Sequence, residues 1–541
     1  MQTLDFDYII IGAGSAGSVL ANRLSADPTN RVAVLEAGGE ANHAYVRMPL
    51  GFLQALRNPA LTWPFASEPQ AQLGGRVLPL PRGRLLGGSS SINGTVHFRG
   101  HPLDFDDWAR LGCTGWDYES LLPYFQRSED HWTGGNAWRG KGGPIGVVPV
   151  DTSTLMAEEL RASAALQGFA YNPDYDGANN EGCADVQVAL KNGERSGGAR
   201  AYLNPIRNRP NLTILTHAQV QRILFTDRRA TGVAFERHGQ PHTATAAREI
   251  VLCGGAYGSP QLLMLSGIGA RAALNRHGIG VVHDLPGVGQ NLQEHVRLAH
   301  QYDAAPPHSF AQQLRFDRAA LSFLRWYFLR SGPFANQIAA ACILAHSQQG
   351  LDRPDLQIMS SPVRVDANIW FPGIAKPKRD CFYNSICLLR PKSRGEVTLR
   401  DADPHSAPRI QLNLLEDERD WAVLKKGLAI SRRIFSDGPI ARYVIEETLP
   451  GAHVISDEAL DAMKSELSGV VHHPVGSCAM GAGPNAVVDP CLRVRGIAGL
   501  RVADASVMPL LVGANTNAAA VMIGEKASDM ILDAARQEQM A

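Results

Sequence analysis

No Cys-x-x-Cys occurs in this chain, and its eight cysteines (Cys113, Cys183, Cys253, Cys342, Cys381, Cys387, Cys478 and Cys491) are too scattered for a compact metal-ligand cluster. So few thiols in 541 residues do not build a disulfide framework. A reducing, cytoplasmic compartment is therefore expected, with the protein free or peripheral at a membrane. Net charge is also absent: 52 Lys+Arg balance 52 Asp+Glu, which gives no support to a nucleic-acid-binding surface. The apolar stretch 338–345 is far shorter than the ~18 residues that span a bilayer, so no transmembrane segment is expected. Residues 1–7 lack the basic start of a secretory signal. No internal repeat or low-complexity linker interrupts the chain.

What is abundant is glycine, 53 residues or about a tenth of the chain against a usual share of about 7%. Such an excess signals tight turns and close approach of backbone to ligand. The length predicts two or more domains. Residues 8–11, Tyr-Ile-Ile-Ile, look like a buried parallel strand, and 18–24 carry apolar residues at helical spacing. Residues 31–35 form a second strand that ends at Glu36, so the opening is a βαβ unit of a parallel sheet. Strand-like segments at 249–253 and 500–503 supply later pieces of that sheet, and 212–235 looks like hairpin material. An aromatic-rich amphipathic helix is expected over 310–329. Its Phe310, Phe316, Phe323, Trp326, Tyr327 and Phe328 are equally readable as an access region or as core.

Between the first strand and helix stands Gly12-Ala13-Gly14-Ser15-Ala16-Gly17, with an acid, Glu36, 19 residues after the last glycine. Gly12 permits the turn, Gly14 lets the backbone approach a pyrophosphate, and Gly17 allows close helix–strand packing. Glu36 is placed to accept hydrogen bonds from a ribose diol, and the helix N-terminus offers N–H groups to the phosphates. These residues alone do not choose between NAD and FAD. A second glycine-rich run, residues 83–94 (GRLLGGSSSING), lacks the lysine of an NTP-binding loop but presents N–H groups and hydroxyls at short range.

With these two runs stand 255–269 (GAYGSPQLLMLSGIG), 285–292 (LPGVGQNL), 473–477 (HPVGS), 504–506 (DAS) and 513–517 (GANTN). In that order they resemble the glucose–methanol–choline family of FAD-dependent oxidoreductases, in its bacterial alcohol dehydrogenase and choline-dehydrogenase-like branch. The resemblance implies an α/β fold: a Rossmann-like FAD-binding domain (1–155, 202–300 and 470–541) with an inserted α+β substrate domain (156–201 and 301–469) on an antiparallel sheet. It implies FAD held by Gly12, Gly14, Ser15, Ala16 and Gly17, by Glu36 and Ala37 at the adenosine ribose, and by Gly88, Ser90, Asn93, Gly94 and Val96 near the isoalloxazine. Val220 matches the position facing adenine, and Asp504, Ala505, Asn515 and Thr516 match contacts at the flavin end. Members with covalent flavin carry a histidine where this chain has Ile92, so noncovalent FAD is expected. Two further departures, His97 and His472 at positions usually aromatic, are expected to change the cavity lining.

The resemblance makes His473 the catalytic base and, 44 positions on, Asn517 its partner at the alcohol oxygen. An imidazole titrates near neutrality and an amide can donate to an oxygen that gains charge, which suits alcohol oxidation. In extended chain His472 and His473 face opposite ways, so His472 is expected to point away from the flavin. No metal site is expected. The segment 335–342 has no acid to pair with a quaternary ammonium, which favours neutral alcohols. The implied reaction is oxidation of a primary alcohol to an aldehyde, electrons passing to a quinone-type acceptor. The alternatives are an oxidase that uses oxygen and a non-redox lyase or decarboxylase on the same fold.

Overall fold

Residues 8–11 are too apolar and β-branched to sit anywhere but in a sheet covered on both faces. In the computed structural model, which describes residues 3–364 and 366–540, they end strand β1 (Thr3–Ile11) and are buried. A turn at Gly12 leads into helix α1 (Ser15–Leu24) and back to β2 (Val32–Leu35), which pairs in parallel with β1. Leu212–Leu215 extends the sheet beyond β2; Gln240–Leu252 and then Leu500–Val502 extend it beyond β1, all in parallel. Of the expected hairpin region, Ala218–Thr226 and Arg229–Arg237 do form an antiparallel meander with the first half of Gln240–Leu252, whereas Leu212–Leu215 belongs to the parallel sheet.

Leu215, Leu35, Ile11, Leu252 and Val502 stand in one row across the sheet. The chain therefore leaves four of these strands at one edge through Glu36, Gly12, Cys253 and Ala503-Asp504. The carboxyl edge of a parallel sheet is where α/β folds hold ligands. Two glycines make the edge possible. Gly12 has φ +96°, and a Cβ there would lie 2.5 Å from the Cys253 carbonyl oxygen. A Cβ on Gly17 would lie 2.0 Å from the Gly12 oxygen, so only glycine lets α1 pack this close to the turn.

A second sheet is antiparallel throughout, in the order Val444–Leu449, Val296–Ala304, Cys381–Leu388, Leu356–Ser361, Ala341–Ala345 and Gly182–Ala184, with Ser468–Val470 paired to the start of Val296–Ala304. The division expected at 300/301 falls inside Val296–Ala304, because the crossover into this sheet is complete by Val296. Among the described residues no helix is long and apolar enough to cross a membrane.

The loop that follows the second glycine-rich run is anchored by a buried charge cluster. Glu129 is bound by Arg99, by Arg139 Nη1 at 2.8 Å and by His97 Nε2 at 3.3 Å, and Arg139 also pairs with Asp174 and Asp176. Burial raises the Glu129 carboxyl, but the Arg99 and Arg139 guanidinia outweigh it and hold the group well below the usual carboxylate range. His97 is thus turned into this cluster and not into the cavity, contrary to the expectation from its position. Arg139→Met leaves several acids without their cation in a site that excludes water. Unfolding in denaturant should show a loss of about 3–5 kcal/mol, the cost of breaking a buried pair from one side; a loss below about 1 kcal/mol would mean that water reaches the cluster.

Candidate active site

Between the carboxyl edge of the parallel sheet and one face of the antiparallel sheet lies a cavity of about 840 Å³. Its floor contains most of the residues expected to bind the nucleotide: Gly12, Gly14, Ser15, Ala16, Glu36, Ala37, Gly88, Asn93, Gly94, Val96, Val220, Asp504, Ala505, Asn515 and Thr516 all line it. Gly17 does not, and acts through packing. Ser90 is a correction: its hydroxyl donates to the Gly87 carbonyl at 2.6 Å and accepts from Gly198 N–H at 2.9 Å, so it braces the loop from behind.

The floor fits a dinucleotide on three counts. The first bond of α1 runs from Ser18 N–H to Gly14 O, and neither a side-chain cap nor an acid occupies the turn before it, so the helix start is open to an anion. Gly88 crosses Gly14 so closely that a Cβ on Gly88 would lie 2.8 Å from the Gly14 Cα. Glu36 is buried without an ion pair and accepts from Ala13 N–H at 2.9 Å and Gly38 N–H at 2.8 Å. Burial pushes its carboxyl up to about 7, against the pull of those two bonds and of the Arg84 charge. Such a carboxylate gains from further donors, which a ribose diol supplies. Ile92 lines the cavity and has no atom able to bond a flavin covalently.

Asp504 lines the same floor, but its oxygens are taken by the protein: Gly255 N–H (2.9 Å) and Ser259 Oγ (2.5 Å) on one, Ser506 N–H (2.7 Å) on the other. Its carboxylate caps the helix Gly255–Leu265, so most of its acceptor capacity is used within the protein. Its contribution is the strand end it locks.

At the far end stands His473. His295 Nε2 lies 3.0 Å from the Leu389 carbonyl, which can only accept, so that nitrogen carries the proton. Burial lowers His295 to about 4, which leaves its ring neutral and its Nδ1 an acceptor. His473 Nδ1 lies 2.9 Å from that Nδ1 and must donate to it. His473 is half-buried in the cavity wall, and desolvation there, with His295 and Arg82, lowers it well below the ordinary histidine range. Its single proton is thus on Nδ1, and Nε2 is a bare lone pair. Glu294 Oε1 accepts from the His473 backbone N–H at 2.5 Å and fixes the backbone.

The group facing that lone pair is Asn515, whose Nδ2 lies 3.3 Å from His473 Nε2. Asn517, the expected partner, lines the same cavity but among the described residues makes no hydrogen bond to His473. It opens the helix Asn517–Met540, and its Oδ1 accepts from Ser15 Oγ at 2.8 Å, tying that helix to the start of α1. The position two residues earlier, in the loop before the helix, is the one aimed at the histidine. His472 lines the cavity, as its place in the motif suggested, and does not point away as an extended chain would have it. Its φ of +66° breaks the alternation of an extended strand, so both histidines face the same space. None of the six aromatic residues of 310–329 lines the cavity; Trp326 is core and Phe328 is 72% exposed. His295, Glu294 and Arg82 went unnoticed in the sequence, although the first two directly follow the 285–292 motif.

Glu36→Ala should raise the dissociation constant of FAD about 10- to 150-fold, the worth of one charge-assisted hydrogen bond at about 1.5–3 kcal/mol. Turnover at saturating FAD should change only a few-fold, because the residue is at the end of the cavity opposite His473. Titration of the apoprotein with FAD checks the first statement, and turnover at saturation the second; a loss of orders of magnitude at saturation would place Glu36 in the chemistry.

Two family models described as GMC oxidoreductase match residues 6–297 and 391–524. An oxygen-dependent choline dehydrogenase of Brucella ovis is 38% identical over 98% of this chain and 96% of its own. Among solved structures, pyridoxine 4-oxidase from Mesorbium loti superposes with a TM-score of 0.86 at 31% identity, covering 97% of this chain and 98% of that one. An R554K variant of Aspergillus oryzae RIB40 formate oxidase superposes with a TM-score of 0.92 at 25% identity, covering 99% and 100%. With a floor built for a dinucleotide and a neutral histidine beside an amide at its far end, this chain belongs to the GMC oxidoreductase family of FAD-dependent enzymes that act on alcohol groups.

Proposed function

We propose that the protein oxidises a primary alcohol to an aldehyde, with His473 Nε2 taking the hydroxyl proton and Asn515 donating to the oxygen. The observation that carries this reading is the proton order Leu389 O, His295, His473, which leaves an unprotonated nitrogen opposite an amide donor inside a buried cavity. An alcohol oxygen that displaces the contact between Asn515 and His473 would donate to Nε2 and accept from the amide, so negative charge that develops as the proton leaves is met by a nearby dipole. FAD, when bound, supplies the two-electron acceptor whose N5 takes the hydride from the carbinol carbon. His295 is buried behind His473, so solvent does not compete for the hydrogen bond that orients the base. The ring orientation is held by two hydrogen bonds and a backbone contact, so little reorganisation precedes proton transfer.

For the second half-reaction we propose a quinone-type acceptor, although the curated relatives named as dehydrogenases are named oxygen-dependent. Oxygen is the second reading, favoured by solved neighbours named as oxidases. A cytoplasmic location is supported by eight cysteines that are all free. Anaerobic reduction by an alcohol panel, followed by reoxidation with air or with a quinone, separates the two acceptors.

Three variants test the assignment by anaerobic stopped-flow reduction with one good alcohol. His473→Ala should slow flavin reduction about 10²–10⁴-fold while retaining FAD. Asn515→Ala should lose less, since one neutral donor goes and the base remains. Asn517→Ala should leave reduction within a few-fold and act on FAD retention through its lost bond to Ser15. A dead Asn517→Ala enzyme with a normal Asn515→Ala enzyme would reverse the assignment.

The pH profile follows from the same burial. The base works when neutral, and a lowered pKa means that protonation begins only well below the ordinary 6.5. The reduction rate should therefore be flat between roughly pH 6 and 7.5 and fall only on the acid side of that window. A limb centred near 6.5 would show a solvated imidazole and contradict the geometry.

A further inference from the structure

The face of the antiparallel sheet that roofs the cavity follows from period-two alternation. Gln357, Met359 and Ser361 on one strand, Tyr383, Ser385 and Cys387 on the next, and Arg297 on the third are in register and all line the cavity. Six of these are neutral; the one charge is Arg297. Among the described residues it forms no ion pair and no hydrogen bond. Its guanidinium carbon lies 5.8 Å from the Tyr383 ring centre. It also lies against Gly469, where a Cβ would come within 3.3 Å of Nη2, so that glycine gives the guanidinium room. Arg297 is two residues beyond His295 and pairs through the ladder with Gly469, a few residues ahead of His472 and His473. The guanidinium is thus at the catalytic end of the cavity.

No acid there answers it. Among the described residues the cavity lining holds two carboxylates, Glu36 at the nucleotide end and Asp504, whose oxygens are already bonded. Glu294 lies behind His473, and burial pushes it up to about 8, against the pull of Arg82. The other cations of the lining are engaged: Arg82 donates to the His472 carbonyl at 2.9 Å, and Arg84 stacks on Trp63 at 4.3 Å. Lowered pKa values at His472 and His473 add no charge. A half-buried arginine that lines the cavity without a counter-ion is free to take one from a ligand, and its planar fork matches a carboxylate.

We propose that Arg297 is a substrate-binding and specificity-determining residue, and that the alcohol oxidised here carries a carboxylate which pairs with its guanidinium. This rests on the alcohol oxidation proposed above and names its substrate class. The same charge disfavours a quaternary ammonium alcohol, so a shared fold with relatives named for choline does not extend to that substrate.

The test uses the FAD-loaded enzyme and anaerobic flavin reduction with matched pairs. 4-(Hydroxymethyl)benzoate should exceed its methyl ester in kcat/KM by about 10- to 150-fold, the worth of a charge-assisted pair. Choline should fall below its neutral isostere 3,3-dimethylbutan-1-ol. Arg297→Gln should bring the acid-to-ester ratio near one, chiefly through KM, and Arg297→Lys should restore part of it. Benzoate, which cannot be oxidised, gives an independent readout: its dissociation constant, read from the shift in flavin absorbance, should rise by a similar factor in Arg297→Gln and less in Arg297→Lys. An acid-to-ester ratio near one in the wild type, or a ratio and benzoate affinity unmoved by both substitutions, overturns the proposal. Choline outperforming its isostere does so as well. Should no alcohol reduce the flavin while benzoate binding still depends on Arg297, the anion subsite stands and the alcohol reading falls.

Discussion

A single backbone carbonyl governs the chemistry of this cavity. The Leu389 oxygen has no proton to give, so the ring opposite must donate to it, and that choice passes through His295 to His473 without a free alternative. The constraint holds because the His295 ring is buried: in water it could take a second proton, and the order of donors would be lost. A basic nitrogen at a defined point in the cavity is therefore set by a carbonyl that lies behind it.

Sheet register delivers the parts. Val296–Ala304 runs antiparallel to Cys381–Leu388, with Arg297 opposite Cys387, so the ladder continued by two residues sets His295 opposite Leu389. On the other side Val296 pairs with Val470, and Val471 N–H reaches the His295 carbonyl at 3.3 Å, which carries the chain to His473. Three segments distant in sequence thus meet at one strand. The nucleotide end is built differently, from the strand ends of a parallel sheet and the open start of α1.

That difference explains what could be seen in the sequence. Glycines and acid at the nucleotide end sit in contiguous motifs whose spacing is a consequence of one βαβ unit, so 12–17 and Glu36 were identifiable as they stand. His473 was legible from its motif as well. The amide within hydrogen-bond reach of it was not, because a count of residues cannot fix the phase at a loop–helix junction: Asn515 and Asn517 are two residues apart, yet one meets the histidine and the other meets Ser15. His295 and Arg297 follow a motif that seemed complete at Leu292, and only antiparallel pairing shows what they face. His97 was misplaced for a similar reason, since nothing local reveals that Arg99, Glu129 and Arg139 assemble around it.

The histidine pair and the roof cation hang on one stretch of chain, His295 just before the strand and Arg297 within it. His295 and Arg297 are alternate residues, so both project towards the same space, the first through His473 and the second directly into the cavity. A change at 297 alters the charge of the roof without disturbing the proton order, because that order depends on the His295 ring and the Leu389 backbone. It also leaves the floor untouched, since Glu36 and the 12–17 turn belong to another sheet. Cofactor, base and roof are thus separable in structure: a family can keep the first two while the third is rewritten residue by residue. Fold and chemistry therefore carry over from relatives more securely than substrate does. In this chain the charge on the roof is positive.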